Sequence, residues 1–377
     1  MTSRKALKVL HFTTHVNIGG ITSYIEMTGG RLMKNGYWMG IVSGGGGLTK
    51  DLKTKDFHLF QFPIRTKFEL HPKLYGCLPG IADLVKREEI DLLHAHTRVT
   101  QVLAYFISKI TKVPFVTTAH GFYKPRIGRK LFGCWGDRVI AISPLVAEDL
   151  KTAHGVKEEK IRLVQNSIDA EEFQKRYSQK DPQTMRRELG VPGDAWVVGS
   201  ISRLVEDKGH AYLVEAVKKL KNKIPKIFLI ILGDGREKEN LERLIRQLDL
   251  TASARVMTAV KDVTGVLSAI DVFAHPATFR EGFGFSIAEA MVVKKPVVAT
   301  NIRAINSIIQ DRVNGFLVEP KSADALVKAI KFIAENPKEA QRIAENGQKM
   351  ALKLCSLDRM VNEIEKVYEE VVDASYK

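Results

Sequence analysis

Short apolar runs alternate with segments of helical periodicity along the first half of the chain. This rhythm is typical of parallel β-strands connected by helices. Apolar residues spaced three and four positions apart predict helices at 21–33 and 74–86. Strands are predicted at residues 8–13, 39–43, 56–62, 90–94, 113–119, 138–142 and 161–165.

The same rhythm restarts after residues 177–183, a polar stretch that contains Pro182 and is predicted as a linker. Beyond it, strands are predicted at 196–201, 227–232, 255–258, 272–275 and 297–300, and helices at 210–220, 238–248, 323–334, 337–354 and 357–372. The pattern therefore predicts an α/β fold with two Rossmann-like domains, residues 1–180 and residues 183–356.

The positions of two glutamates within residues 279–294 need a chemical explanation. Glu281 lies in a glycine-containing loop, and Glu289 lies inside an apolar run that predicts a buried helix starting near Phe285. Helical side chains lean toward the N-terminus, so Glu289 is expected to point back at the loop of Glu281. Buried carboxylates need hydrogen-bond donors, which sugar hydroxyls supply, and free amides at a helix start favour a phosphate. The predicted ligand is a sugar joined to a phosphate; the alternative is an exposed capping Glu281 and a salt-bridged Glu289.

A second candidate phosphate site precedes the predicted helix 210–220. Lys208 lies where the positive end of the helix dipole disfavours a cation unless an anion lies beside it. Arg203 and Lys208 are therefore predicted to clamp a diphosphate. Ion pairs with Glu206 and Asp207 are the structural alternative.

The first predicted strand is followed by Gly19 and Gly20 and then a helix, which is a Rossmann-like opening. The G-x-G-x-x-G fingerprint is absent, which argues against a nicotinamide or flavin cofactor. The glycine pair is equally consistent with a tight turn. His120 follows another predicted strand, where the carboxyl end of a parallel strand is expected to deliver an imidazole to a crevice; His94 and His96 occupy a similar strand end.

Length and composition narrow these expectations. A chain of 377 residues suits two domains of about 180 residues each. The sequence has no apolar run of 18 residues and no recognisable signal peptide, so we expect a cytoplasmic protein. Cys77, Cys134 and Cys355 lie far apart, and no D-x-D motif occurs, so we expect no disulfide, no zinc site and no metal clamp.

The net charge of +15 is uneven, with +11 in residues 1–182 and +4 in the remainder. A basic surface attracts nucleic acid, anionic phospholipid or a phosphorylated acceptor, although it also serves solubility alone. Cations alternate with aromatic residues at 65–75 and 124–135. Both segments are candidate membrane-facing or acceptor-facing elements, and a solvated loop is the alternative for the first.

The two glutamates, separated by seven residues, resemble the E-x7-E signature of the retaining nucleotide-sugar glycosyltransferases of family 4. Further motifs occur in the family's order and cover nearly the whole chain. They are Gly19-Gly20-Ile21, His120-Gly121, Ser143, Asn166 with Asp169, Arg203-Leu204, Lys208-Gly209, Gly233-Asp234-Gly235, residues 296–300 and residues 314–318.

This resemblance implies a GT-B fold, in which two Rossmann-like, doubly wound domains face each other across a deep crevice and the last helix, 357–377, returns to the first domain. It implies transfer of a hexose from a nucleoside-diphosphate sugar to an acceptor hydroxyl with retention at the anomeric carbon and no cofactor. The residues implied to bind the donor are Gly19, Gly20, Arg203, Lys208, Gly233, Glu281, Gly282, Phe283, Gly284 and Glu289. Those implied to act in catalysis are His120, Glu281, Arg203 and Lys208, and those implied to contact the acceptor are Ser143 and Asn166.

In the family, the histidine lies beside the transferred sugar, the first glutamate holds sugar hydroxyls and the second holds the ribose. The chain departs from the family pattern at Ala259, which replaces a common glycine near the base, and at 303–307, which lack the usual Gly-Gly and Glu. The base and the donor sugar therefore stay open, with a UDP-sugar favoured. The expected acceptor is a glycan or glycolipid of the bacterial envelope, such as lipopolysaccharide, made at the cytoplasmic face of an anionic inner membrane.

Other functions fit parts of the pattern. A GT-B phosphorylase or a sugar-nucleotide epimerase would share the fold and the phosphate clamp. A non-enzymatic nucleic-acid-binding protein would use the positive charge, but that charge is diffuse and no RNA-binding aromatic motif occurs, so nucleic acid is not an expected partner. A nicotinamide oxidoreductase fits least well.

Overall fold

The computed structural model describes residues 7–124, 128–129 and 132–375. The chain divides into two compact units, one made of Met1–Asn166 with Leu357–Lys377 and the other of Ser167–Ser356. Each unit has its own parallel sheet. The expected two-domain α/β organisation is therefore confirmed.

The sheet of the first unit has the strand order β3-β2-β1-β4-β5-β6-β7 among the described residues, and every neighbouring pair is parallel. The order reverses direction between β1 and β4, as in doubly wound Rossmann folds. The strands are β1 (Lys8–Phe12), β2 (Trp38–Ser43), β3 (His58–Gln61), β4 (Leu92–Ala95), β5 (Phe115–Ala119), β6 (Arg138–Ala141) and β7 (Ile161–Leu163).

Helices cover both faces of this sheet. They are α1 (Gly20–Lys34), α2 (Thr49–Lys53), α3 (Pro72–Gly76), α4 (Leu78–Arg87), α5 (Arg98–Thr111), α6 (Pro144–Thr152), a 3-10 turn (Glu158–Lys160) and the C-terminal helix (Leu357–Ser375). The C-terminal helix packs in the same apolar cluster as α1 and β1, and Tyr368 on it is 1 % exposed. Its Glu370 also forms ion pairs with Arg138 and Arg162. This helix therefore completes the core of the first unit.

The sheet of the second unit has the order β10-β9-β8-β11-β12-β13, again with parallel neighbours throughout the described chain. Its strands are β8 (Trp196–Ile201), β9 (Ile227–Leu232), β10 (Ala254–Met257), β11 (Val272–His275), β12 (Val297–Thr300) and β13 (Phe316–Val318). Its helices are α7 (Ala170–Ser178), α8 (Pro182–Glu188), a 3-10 turn (Glu206–Lys208), α9 (His210–Leu220), α10 (Lys238–Gln247), α11 (Thr264–Ala269), α12 (Phe285–Val292), α13 (Ala323–Glu335) and α14 (Pro337–Leu354).

The predicted linker at 177–183 and the boundary at 180–183 are wrong. Residues 170–178 and 182–188 form α7 and α8, and both helices belong to the second unit, which begins at Ser167. Asp181 caps α8, because its carboxylate accepts the backbone N–H of Thr184 at 2.7 Å. Gln174 on α7 donates to the carbonyl of Val292 at 3.1 Å, which ties α7 to the second unit.

Two smaller differences concern single elements. The helix predicted at 74–86 is two helices, α3 and α4, and a proline lies in the first turn of α4, where a helix tolerates it. The strand β13 is an additional strand, because its three residues are too few to show a period in the sequence. Within the described ranges, no helix is long and apolar enough to cross a membrane.

Candidate active site

The second unit places Glu281 in the loop between β11 and α12. The helix α12 begins after Gly284, whose φ of 80° lies in the left-handed region that glycine adopts without strain. Phe283 is 5 % exposed, and its ring centroid lies 5.1 Å from that of Phe285, so the loop is anchored by aromatic packing. The N–H of Gly282 donates to Oε1 of Glu281 at 3.1 Å. The loop therefore holds its own carboxylate in place.

Glu281 is the centre of a charged cluster. Lys208 Nζ forms an ion pair with Oε2 of Glu281, and Nε2 of His275 lies 3.1 Å from the same oxygen. The side chains of Lys208 and Glu281 are only 12 % and 15 % exposed. Burial alone would raise the pKa of Glu281, but the hydrogen bond from His275 and the charge of Lys208 hold that pKa well below its usual value. Glu281 is therefore an ionised, nearly buried carboxylate.

Lys208 reaches this position because of the turn that precedes α9. The residue after it, Gly209, has a φ of 65°, and a Cβ there would lie 2.1 Å from the carbonyl oxygen of Pro276. Only glycine fits this close approach of two backbone segments. The predicted alternative, an ion pair of Lys208 with Glu206 or Asp207, is not the one observed, because the lysine pairs with Glu281.

Sequence reasoning did not identify His275. It is the last residue of β11, it is 2 % exposed, and it contacts Glu281 as described above. Burial lowers the pKa of this imidazole, and Lys208 adds to that effect while Glu281 opposes it. A signal existed in the sequence: a strand ending in histidine lies six residues before the loop glutamate.

Glu289 lies on α12 and is partly buried. Burial raises its pKa to about 7; the charge of Arg176 opposes this rise and that of Asp262 adds to it. Within the part of the chain that the structure describes, no group hydrogen-bonds its carboxylate. The salt-bridged alternative for Glu289 is therefore not observed.

The other residues of the second unit that are predicted to bind the sugar donor differ in burial. Arg203 is exposed to solvent, whereas Lys208 is held against Glu281. Gly233 follows β9, and a Cβ at this position would lie 1.9 Å from the carbonyl oxygen of Ser202. Backbone packing therefore already requires glycine at 233. Whether these residues contact a donor stays a prediction.

In the first unit, Gly19 is the N-cap of α1 and Gly20 is its first residue, and both face open space where a Cβ would be. Ser143 caps α6, because its Oγ accepts the backbone N–H of Val146 at 3.3 Å. Asn166 is fully buried, and neither atom of its side-chain amide has a hydrogen-bond partner among the described residues. The acceptor roles predicted for Ser143 and Asn166 stay predictions.

His120 belongs to a cluster of imidazoles. Its Nε2 lies 2.9 Å from Nδ1 of His96, and Nε2 of His96 lies 2.8 Å from Nδ1 of His11. His94 contacts the hydroxyls of Tyr368 at 2.6 Å and of Thr118 at 2.7 Å. The sequence showed the strand-end histidines separately, but it did not show that adjacent β1 and β4 bring His11 beside them.

Three of these residues could hold a metal ion, since nitrogens of His11, His94 and His96 lie within 4.8 Å of one another. However, both nitrogens of His94 and both of His96 already have hydrogen-bond partners. The observed positions of these imidazoles therefore fit a hydrogen-bonded cluster, with no rearrangement of their side chains.

The structure describes all of the first segment predicted to face a membrane or acceptor, and only part of the second. In the first, Arg65, Lys67 and Lys73 are exposed, as are Phe68 (57 %) and Tyr75 (37 %). In the second, residues 125–127 and 130–131 lie outside the described residues.

Two protein-family models match the chain. The model described as Glycosyltransferase Family 4 matches residues 18–172, and the model described as Glycosyl transferases group 1 matches residues 181–350. The chain is 26 % identical over 320 residues to the UDP-Gal:alpha-D-GlcNAc-diphosphoundecaprenol alpha-1,3-galactosyltransferase of Escherichia coli, covering 78 % of this chain and 79 % of that protein.

Solved structures show the same fold. A glycosyltransferase from Rickettsia africae aligns with a TM-score of 0.83 at 24 % identity, over 97 % of this chain and 99 % of that one. HepE of Anabaena, crystallised with UDP-glucose, aligns with a TM-score of 0.82 at 23 % identity, over 97 % and 100 %.

Proposed function

The chain belongs to glycosyltransferase family 4 and has the GT-B fold, and from this premise we propose that it transfers a hexose from a nucleoside-diphosphate sugar to an acceptor hydroxyl with retention of the anomeric configuration. The observation that carries the proposal is the ion pair between Glu281 and Lys208. It presents a buried carboxylate and a buried ammonium side by side. A sugar phosphate needs both, because its hydroxyls donate to a carboxylate and its phosphate binds an ammonium.

In this mechanism, Glu281 accepts hydrogen bonds from sugar hydroxyls. The contact of His275 with Oε2 of Glu281 keeps the carboxylate oriented. Lys208, helped by Arg203 and by the free amides at the start of α12, stabilises the negative charge that grows on the departing diphosphate. The bond from the anomeric carbon to the diphosphate oxygen breaks, and a bond to the acceptor oxygen forms on the same face. The departing diphosphate takes the acceptor's proton.

The proposed donor is a UDP-sugar. The Escherichia coli relative carries UDP-Gal in its name, and the Anabaena structure holds UDP-glucose. Glu289 is proposed to accept hydrogen bonds from the ribose, because its carboxylate has no hydrogen-bond partner within the described chain and lies on the same short helix as the glycine loop.

The proposed acceptor is a glycan or glycolipid of a bacterial envelope, reached from an anionic membrane surface. The name of the Escherichia coli relative describes a lipid-linked acceptor, a GlcNAc-diphosphoundecaprenol. In this chain, the exposed cations and aromatic residues at 65–75 supply the charge and the apolar contacts that such a surface binds.

Paired substitutions of Glu281 and Lys208 test the proposal. Glu281→Gln and Lys208→Met should each reduce kcat with UDP-hexose and a lipid-linked acceptor at least about 100-fold, because each removes an interaction that is stronger in the transition state. The matched control is the exposed pair Lys226 and Asp194 in the same unit, whose substitution should leave kcat unchanged. All rates are measured well below each variant's melting temperature.

Unchanged rates in the Glu281 and Lys208 variants would refute the assigned roles. Conversion of the sugar nucleotide without any acceptor would indicate an epimerase, and a requirement for inorganic phosphate would indicate a phosphorylase.

A further inference from the structure

The hydrogen-bonded chain from His120 through His96 to His11 determines which nitrogen of His120 carries its proton. His120 is partly exposed, whereas His11 and His96 are at most 1 % exposed. Each N···N distance along the chain, 2.9 Å and then 2.8 Å, is that of a hydrogen bond. Tyr24 packs edge-on against the ring of His120, with centroids 4.8 Å apart, and so limits its rotation.

All three rings are neutral near neutral pH. Burial lowers the pKa of His11 to about 3 and that of His120 to about 3, and it lowers the pKa of His96 well below its usual value. A neutral imidazole carries one N–H and one lone pair. Each contact in the chain therefore needs one donor and one acceptor, so all of its hydrogen bonds must run in the same direction.

Only two arrangements satisfy this condition. In the first, His11 donates from Nδ1 to His96, His96 donates from Nδ1 to His120, and the proton of His120 lies on Nδ1. In the second, every donor is reversed and His11 carries its proton on Nε2. That nitrogen of His11 is buried and has no partner among the described residues.

The difference at His11 favours the first arrangement. The second would bury an N–H group without an acceptor, which is rarer in proteins than an acceptor without a donor. The first leaves only a lone pair unmatched. It also leaves the N–H of His120 on Nδ1, the nitrogen for which the described chain supplies no hydrogen-bond partner.

We propose that His96, backed by His11, is a positioning residue that fixes the Nδ1–H tautomer of His120, so that Nδ1 donates a hydrogen bond to an oxygen of the sugar donor. The statement about the donor rests on the proposed function. The statement about the tautomer does not, and it is measured separately.

The tautomer is read by long-range proton–nitrogen correlation spectra of full-length protein labelled with ¹⁵N-histidine, with His120→Gln identifying the signals of His120. Nδ1 of His120 should be protonated and Nε2 should be an acceptor. His96→Leu should return His120 to the Nε2–H form that free histidine side chains favour. His96→Asn should preserve the Nδ1–H form, because its amide nitrogen takes the place of the donating Nδ1.

His94→Gln is the matched control, since His94 is equally buried in the same cluster but hydrogen-bonds to Tyr368 and Thr118 and to none of the three hydrogen-bonded histidines. It should leave the tautomer of His120 unchanged. In the transferase assay, His96→Leu should lower kcat/KM about tenfold, the effect of one hydrogen bond, and His96→Asn should recover most of this loss.

The spectrum of the unmodified protein decides the main point even if a variant fails to fold. A proton on Nε2 of His120 in that spectrum would overturn the proposal. So would stoichiometric Zn²⁺ binding that shifts the signals of His11, His94 and His96 together, because the nitrogens would then serve as metal ligands. A clear Nδ1–H signal without transferase activity would instead contradict the proposed function alone.

Discussion

At the scale of single residues, burial opposes the ionisation of Glu289. Burial raises the pKa of Glu289 from its ordinary value of about 4.5 to about 7; the charge of Arg176 opposes this rise and that of Asp262 adds to it. Between these two values the folded chain holds a proton that the unfolded chain has released. The contribution of Glu289 to the free energy of unfolding therefore falls as pH rises from about 4.5 to about 7, and this loss is complete above that range.

Glu289→Gln should remove this dependence, because glutamine stays neutral. The melting temperatures of the variant and the parent should agree closely near pH 4.5. Their difference should grow in favour of the variant up to about pH 7 and stay constant above it. Glu239→Gln, at an exposed position of the same unit, is the control and should show no such trend. A difference for Glu289→Gln that does not change with pH would contradict the raised pKa.

The sequence singled out Glu281 and Lys208 because a carboxylate in a glycine loop and a cation at a helix start are each unusual. It did not show that the two bind each other, because the contact joins residues 73 positions apart. His11 was missed for a related reason, because its histidine partners become visible only when β1 and β4 are in register. His275 was missed although Glu281 lies only six residues further along the chain, because a single histidine in a strand is compatible with many roles.

At the scale of elements, apolar runs with sharp polar or glycine boundaries were predicted to the residue. Examples are Trp196–Ile201, His210–Leu220 and Val272–His275. The stretch 177–183 was misread because Pro182 was taken as a breaker. An aspartate followed by proline also marks a helix start, since proline is tolerated in the first turn and the aspartate caps it. Packing of α7 and α8 within the second unit then decides between a linker and a helix start.

The turn that positions Lys208 requires glycine at position 209, and this requirement can be tested by substitution. Gly209→Ala should lower the free energy of unfolding by about 2–4 kcal/mol, because alanine is strained at positive φ and its Cβ would overlap the carbonyl of Pro276. Gly155 has the same φ of 65° with nothing within 4 Å of its Cβ position. Gly155→Ala should therefore cost only about 1 kcal/mol. Urea unfolding measures both, and equal costs would show that the close approach is unimportant.

At the scale of the whole molecule, the uneven charge predicts a measurable membrane preference. Arg65, Lys67 and Lys73 are exposed in the first unit and lie near exposed aromatic side chains. Replacing all three by glutamine should reduce sedimentation with phosphatidylglycerol-containing vesicles by roughly 100-fold in partition coefficient, at about 1 kcal/mol per cation.

The control for that experiment replaces Lys223, Lys328 and Lys349, three exposed lysines of the second unit, and changes net charge equally. An equal loss of binding in both triple variants would show that total charge, and not this surface, attracts the vesicles. High salt should abolish the difference, because exposed charges are screened.

The C-terminal helix makes the first unit depend on both ends of the chain. Its buried apolar side chains are Met360, Val361, Ile364, Val367, Tyr368, Val371 and Val372. Burying seven such groups contributes on the order of 10 kcal/mol, comparable to the total stability of a domain. A chain that ends at Ser356 should therefore lose the fold of the first unit. The second unit, which lies wholly within Ser167–Ser356, should remain folded.

Limited proteolysis of this truncated chain should leave a resistant fragment that begins near Ser167, and adding a synthetic peptide of residues 357–377 should restore protection of the first unit. Glu370→Gln separates burial from charge, because it removes the ion pairs with Arg138 and Arg162 but keeps the helix. These groups are partly exposed, so this substitution should cost no more than about 1 kcal/mol. If the first unit resisted proteolysis without the helix, its core would have to be complete within residues 7–166, and the buried face of the helix would contribute little to folding.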